Sequence, residues 1–380
     1  QAWKVPPYIE LLRCAAIDTY ETAGVYVHGG TTRWPEIRMM SKVTKDAYFA
    51  FDGGTHYLGG EVNVPSQTWD TSPDTAFHFE VSDDAKVAVE KFRLGSGTTS
   101  YVNNRDLYFK VADGGELTVS NSFSQVGAGR QHVLVKDATL RVEPATAWFN
   151  LHGADATQVS RIQNDVLFTN AVFLGQNFRL YAGTATFVDS VVTNMAQFQV
   201  GAVAGCNARL ELKNCKTYLY NGGDRDKILV PYLGEGTLAI EGGSFYANEV
   251  DVGQNWSASV YVAATGTLEL AANTTAKIDS LYLGKRYGGR GMCTVLPTRT
   301  LDCSVSGITL GRSGVGELMI AGGTCSAAGI EMGSSTVGDL EKAPGTNLLH
   351  VTSGDLTVKS VKTGGGIIAG SRSEATKVRA

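Results

Sequence analysis

Residues 234–253, GEGTLAIEGGSFYANEVDVG, return as residues 314–333, GVGELMIAGGTCSAAGIEMG. Both carry a small residue with apolar residues two and four places on, then a double glycine, then an apolar-x-apolar-Gly close. The first half recurs at Gly115, Leu117, Val119; Ala138, Leu140, Val142; Ala208, Leu210, Leu212; Gly236, Leu238, Ile240; Gly266, Leu268, Leu270; Gly316, Leu318, Ile320; and Gly354, Leu356, Val358. The second half closes at Gly95, Gly175, Gly201, Gly253, Gly284, Gly311 and Gly333. Alternation of period two predicts short strands with one buried face. A glycine after each strand predicts a sharp turn, because only glycine enters the left-handed region without a steric cost.

A module that returns every roughly 20–30 residues defines a repeat architecture. Each module holds two strands and no helical stretch, which excludes leucine-rich, ankyrin and tetratricopeptide repeats. The fold expected is all-β, a right-handed parallel β-helix (β-solenoid), in which each coil buries its apolar side chains and hydrogen-bonds to the coils on either side. Leu238, Leu268 and Leu318 should then face inward and stack along one axis.

These small-residue, Thr-Leu-x-apolar and apolar-x-apolar-Gly segments resemble the autotransporter-associated β-strand repeat of bacterial surface proteins, most specifically over residues 234–333. The resemblance implies an extracellular β-helical stalk or surface layer, and it brings no catalytic residues with it. A full autotransporter ends in a membrane barrel, a pattern the residues after Val358 do not carry.

Three regions follow: an N-terminal cap over 1–46, the β-helix over 47–370, and a C-terminal tail over 371–380. Residues 6–17, PPYIELLRCAAI, read as a helix opened by proline, with Tyr8, Leu11, Leu12, Ala15 and Ala16 on one face. Its expected task is to cover the unpaired strand edge that a solenoid exposes at its end. The tail, SRSEATKVRA, is polar and patternless, disordered alone, and expected to pack on this subunit or a neighbour. Residues 285–300, KRYGGRGMCTVLPTRT, read as an insertion with four basic residues and no acid, either a contact surface or a solvated loop.

Charged residues make up 18 % of the 380 residues, glycines number 45, and the net charge is −4. That balance suits a secreted solenoid and gives no footprint for nucleic acid. No apolar run approaches the roughly 20 residues of a membrane span. A chain opening at Gln1 with no apolar leader is what a trimmed secreted product looks like. The six cysteines show no CxxC spacing. Cys303 and Cys325 each precede a closing glycine by the same interval, which predicts one column of adjacent coils holding either a disulfide or a buried reduced stack. Cys206 and Cys215 could close a loop, and a disulfide there would indicate an oxidising compartment.

Outward columns read from the repeat are mixed: Glu116, Thr139, Arg209, Thr237, Thr267, Glu317, Asp355; then Thr118, Arg141, Glu211, Ala239, Glu269, Met319, Thr357; and, in the second strand, Arg93, Phe173, Gln199, Asp251, Tyr282, Thr309, Glu331. Only Glu317 and Asp355 could form the carboxylate pair that a glycoside hydrolase needs, provided their coils are adjacent. Asp83 with Asp84 and Asp224 with Asp226 are loop pairs read as calcium ligands or turn formers. Trp34, Trp69, Trp148 and Trp256 are sugar platforms or core packing, and Asn255 and Asn273 lie in sequons. No histidine pair has metal spacing, and no phosphate loop, nucleophile elbow or dinucleotide fingerprint occurs. No catalytic, metal or cofactor site is therefore assigned.

The preferred expectation is an extracellular structural protein, a homo-oligomer assembling through solenoid ends and terminal segments into a surface filament, layer or stalk. The alternative is a monomeric adhesin with surface glycans as partners, and the third is a β-helix polysaccharide lyase or glycoside hydrolase. Neither nucleic acid nor a transmembrane segment is expected.

Overall fold

A computed structural model describes residues 23–34, 37–38, 47–64, 76–94, 106–125, 131–143, 148–151, 164–202, 204–219, 227–254, 263–286, 288–312, 314–333, 347–363 and 378–379. The helix expected over 6–17, Cys14, and Asp224 with Asp226 lie outside these residues. Every described element is a β-strand, and every described strand pairing is parallel. The chain divides into two compact units, Gln1–Arg179 and Leu180–Ala380, each a parallel β-solenoid.

In the first unit, Ala23–His28, Ala47–Asp52, Ala76–Ser82, Asp106–Ala112, Gln131–Lys136 and Asn164–Thr169 stack in one register. Their inward positions form columns, one running Phe49, Phe79, Phe109, Val133, Val166 and the next Phe51, Val81, Val111, Val135, Phe168. A second face supplies Val62, Phe92, Phe123 and Phe149. Because each coil repeats the cross-section of the last, a ring at one position favours a ring above it. Phe49, Phe79 and Phe109 stack at 6.2 and 5.7 Å, and Phe92 on Phe123 at 5.2 Å. His56 shares the core column of Val87 and Leu117. Its ring is satisfied, Nε2 donating to the Gly53 carbonyl at 2.7 Å and Nδ1 accepting from the Thr32 hydroxyl at 2.9 Å.

In the second unit the expected leucine column is present, with one addition. Leu210, Leu238, Leu268, Cys293 and Leu318 stand in register, and none is more than 1 % exposed. Residues 285–300 are accordingly not an insertion: Gly289–Val295 is a full strand between Ala264–Leu270 and Val315–Ala327. Its small, apolar, apolar signature reads Gly291, Cys293, Val295, with a cysteine where the neighbouring coils use leucine.

The small residue that opens each strand is fixed by a close approach of the chain. A Cβ at Gly266 would run into the Val230 carbonyl, and one at Gly316 into that of Leu283. The closing glycines differ in kind. Gly253, at φ +75°, is left-handed, as the turn requires. Gly175, also expected to turn, instead lies within Val172–Leu180 opposite Val142, where the Phe173 ring fills the space its side chain would take.

Parallel stacking begins at Ala23, inside the stretch assigned to the cap, where Ala23–His28 and Thr31–Trp34 pair with the strands that follow. At the other end Val378 and Arg379 pair with Leu356 and Thr357, so this part of the tail docks on its own subunit. Among the described residues no helix is long and apolar enough to cross a membrane.

Leu268→Ala removes a side chain enclosed above and below by its own column. It should cost about 2–5 kcal/mol in chemical denaturation, whereas Thr267→Ala on the outward face should stay within about 0.5 kcal/mol.

Candidate functional site

The paired carboxylates proposed from the repeat do not meet. Glu317 stands opposite Leu348 and is bound by Arg290 at 2.8 Å, while Asp355 stands opposite Thr324. The triplet Gly354, Leu356, Val358 is equivalent to Gly323, Cys325, Ala327, a different side of the coil from Gly316, Leu318, Ile320. Asp83 and Asp84 occupy a turn at φ +50° and +60°. The Asp83 carboxyl is raised by its hydrogen bond to Asp52, which stands at the corresponding turn of the preceding coil. Trp34 is buried edge-on against Phe49 at 5.5 Å, so it is core and offers no platform.

The cysteines are also placed differently. Cys303 stands opposite Ala327 and Cys325 opposite Leu301, two positions out of a shared column. Cys206, Cys215, Cys293, Cys303 and Cys325 are all free thiols and all buried. Burial pushes Cys206 up to about 11 and Cys325 up to about 12.

A column that sequence reading missed lies at the tight turn between two faces. In the first unit it holds Asp113, Asp137 and Asn170, at φ +52°, +51° and +47°; in the second it holds Asp189, Asn214 and Asn273, at +49°, +52° and +58°. Asp and Asn tolerate this region because their short side chains bond locally. Here they also bond along the column: Asn170 Nδ2 donates to Asp137 Oδ1 at 2.6 Å, and Asn214 Nδ2 to Asp189 Oδ1 at 2.5 Å.

Other outward positions tie coil to coil in the same way. On the first unit Tyr48, His78, Tyr108 and His132 stand in register and stack at 4.1, 4.7 and 4.6 Å, with ring planes within 11° of parallel. His132 lies 3.6 Å from Asp165 on the next coil. Lys110 bonds Glu80, and Arg141 bonds Glu116 at 3.2 Å.

A groove of about 520 Å³ lies on the outward face of Asn207–Lys213, Glu235–Glu241, Ala264–Leu270 and Gly289–Val295. Glu211, Ala239 and Glu269 are successive members of one column. Arg209 spans them, Nε donating to Glu211 at 2.7 Å and Nη2 to Glu269 at 2.7 Å. Lys213 bonds Glu211 at 2.7 Å. Lys213 first, and Arg209 with it, hold the Glu211 carboxyl below its usual range. An acid catalyst needs the opposite shift. Met292, Thr294 and Leu296, from the coil first taken for an insertion, complete the wall with Arg299.

A second cluster is closed to solvent. Asp251, expected in a solvated outward column, is fully buried. Lys285 Nζ lies 3.1 Å from both its carboxylate oxygens and 2.5 Å from Glu249 Oε1. The same ammonium sits 3.9 Å over the Tyr282 ring, and Lys227 reaches Glu249 at 3.4 Å. Burial pushes the Asp251 carboxyl up to about 7, with Lys285 opposing and Glu249 reinforcing the shift. Burial acts upward on Glu249 more than any other single cause, but the bond to and charge of Lys285, the bond to Asp251 and the charge of Lys227 together leave it lowered. Lys285 occupies the point on which both acids converge. Among the described residues no group of acids, histidines and cysteines is arranged to hold a metal ion.

No family model, curated protein or solved structure matches this chain.

Two outcomes follow from the buried groups. The folded protein keeps the Asp251 proton up to about pH 7, while the unfolded chain loses it near the ordinary value, so this residue's contribution to stability falls as pH rises between the two. The stability of Asp251→Asn relative to the unsubstituted protein should therefore improve from pH 4 to pH 7, read from denaturation midpoints. The five described thiols should resist alkylation in native protein at pH 8 and all react in denaturant, because the thiolate is the reactive form. Peptide mapping after labelling resolves each site.

Proposed function

We propose that the chain is an extracellular structural protein, a self-assembling subunit of a bacterial surface filament, layer or stalk. In this reading it is a right-handed β-helix of the autotransporter-associated repeat type, capped by an N-terminal helix. The right-handed crossover is the one that strand twist favours. One observation carries the reading: outward side chains, which chemistry would leave available, are spent on fastening each coil to the next. The ring ladder from Tyr48 to His132, the Asp and Asn turn columns, and the bridges of Arg141, Arg209 and Arg290 all run along the stacking direction. A surface built this way holds its shape, which is the task of a scaffold.

Association has a candidate surface in the first unit. Tyr26, Tyr108 and Leu167, at 57, 38 and 41 % exposed, share the outward face of one sheet. Tyr26 and Leu167 stand at the two ends of one column, with Ala50, Glu80, Lys110 and Leu134 between them, so each would meet a partner at its own edge of the sheet. The second reading, a monomeric adhesin for glycans or host surfaces, is favoured by the groove around Ala239.

Negative-stain microscopy and sedimentation of the full chain should show filaments or sheets that grow with concentration, and Leu167→Asp should reduce them. Single particles alone at every concentration would remove the assembly reading and leave the adhesin.

A further inference from the structure

We propose that the groove centred on Ala239 binds an uncharged oligosaccharide. The proposal deepens the adhesin reading and does not depend on assembly. Its volume, about 520 Å³, falls within the roughly 300–1,000 Å³ of small-molecule sites.

Charge sets the class of ligand. Arg209, Lys213 and Arg299 are balanced by Glu211, Glu241 and Glu269, all lining the groove. An anionic or cationic ligand would leave one of these signs unpaired as water is excluded, which is costly. A neutral ligand would not. Sugar hydroxyls both donate and accept, so they use carboxylate and guanidinium together, and Thr267 and Thr294 add hydroxyls of their own.

Geometry points the same way. Glu211 and Glu269 lie on strands two apart, about 9.6 Å between backbones, and because Ala239 presents only a methyl between them, the Arg209 guanidinium lies between the two carboxylates. Arg209 bonds both carboxylates, so their acceptor oxygens are fixed before a ligand arrives. Prior fixing lowers the entropy lost on binding. Met292 and Leu296 offer an apolar surface to the C–H face of a sugar ring.

The test titrates neutral gluco-, manno- and galacto-oligosaccharides into the monomeric fraction of the full chain by calorimetry, beside the same sugars bearing a uronate or sulfate. Binding of a neutral series, with weaker binding of its charged counterpart, is expected. Ala239→Phe, which puts a ring where Arg209 crosses between the carboxylates, should weaken it by about tenfold or more, with an unchanged circular dichroism spectrum. Should that variant misfold, Glu269→Gln, which keeps the shape and removes a charge-assisted acceptor, should weaken it in the same direction. Absence of neutral-sugar binding at millimolar concentration, preference for the charged series, or unchanged affinity in a folded variant overturns the proposal. A chain that assembles yet binds no neutral sugar overturns it too, and leaves the structural reading standing.

Discussion

Parallel backbone hydrogen bonds between successive coils hold every side chain in a column, and nearly all else in both units depends on that alignment. An inward column gains from burial, at about 1.5–3 kcal/mol for a fully enclosed Leu, Val or Phe. An exposed ion pair on the outer face contributes about 0–1 kcal/mol. Stability therefore resides in columns such as Leu210, Leu238, Leu268, Cys293 and Leu318. A slip of one residue would turn each of these outward at once, so the register is enforced by the core and the outer columns inherit it.

That hierarchy decides what could be read from sequence. Leu238, Leu268 and Leu318 were legible because inward positions tolerate few residue types and alternate strictly. The coil at Gly289–Val295 was hidden because Met292 and Cys293 fill places where its neighbours have Thr and Leu, and Arg286 and Arg290 made the segment look solvated. Volume and polarity, which the core tests, are satisfied by cysteine; a search for leucine is not. Gly354 was aligned wrongly for a related reason. Each coil has more than one side that opens on a glycine followed by apolar residues at two and four, and local pattern does not say which side is meant. Asp113, Asp137, Asp189 and Asn214 drew no reading from sequence. Their signal, an Asp or Asn recurring at the same point of many coils, with Gly242 in that place in one of them, becomes visible only once the register is known.

The outer face was legible only in part: Phe173, read as outward, stands in register with Leu140 and is fully buried, as Gln199 nearly is. Glu211, Ala239 and Glu269 were correctly read as one outward column, yet nothing in alternation indicates that Arg209 joins the two acids across the alanine. Asp251 shows the limit more sharply. Alternation assigns a side chain to one side of a strand, and it is silent on what covers that side. The carboxylate assigned to solvent is fully enclosed, and that burial, opposed by Lys285 and reinforced by Glu249, raises it.

Arg209 belongs to both descriptions of the surface, as a tie between coils and as a wall of the groove. Each of its ion pairs is partly exposed, so neither adds much stability, and its main effect is positional: two carboxylates are held at a set separation, with the guanidinium between them, across a coil that contributes only a methyl group. Where a bridge joins residues on adjacent strands with no gap between, as Arg141 does with Glu116, the result is a flat tie. Where it spans a third coil that contributes only a methyl group, the same chemistry leaves a cleft. The difference between scaffold and binding surface thus comes down to the size of one outward side chain, and Ala239 is where this solenoid makes the exchange.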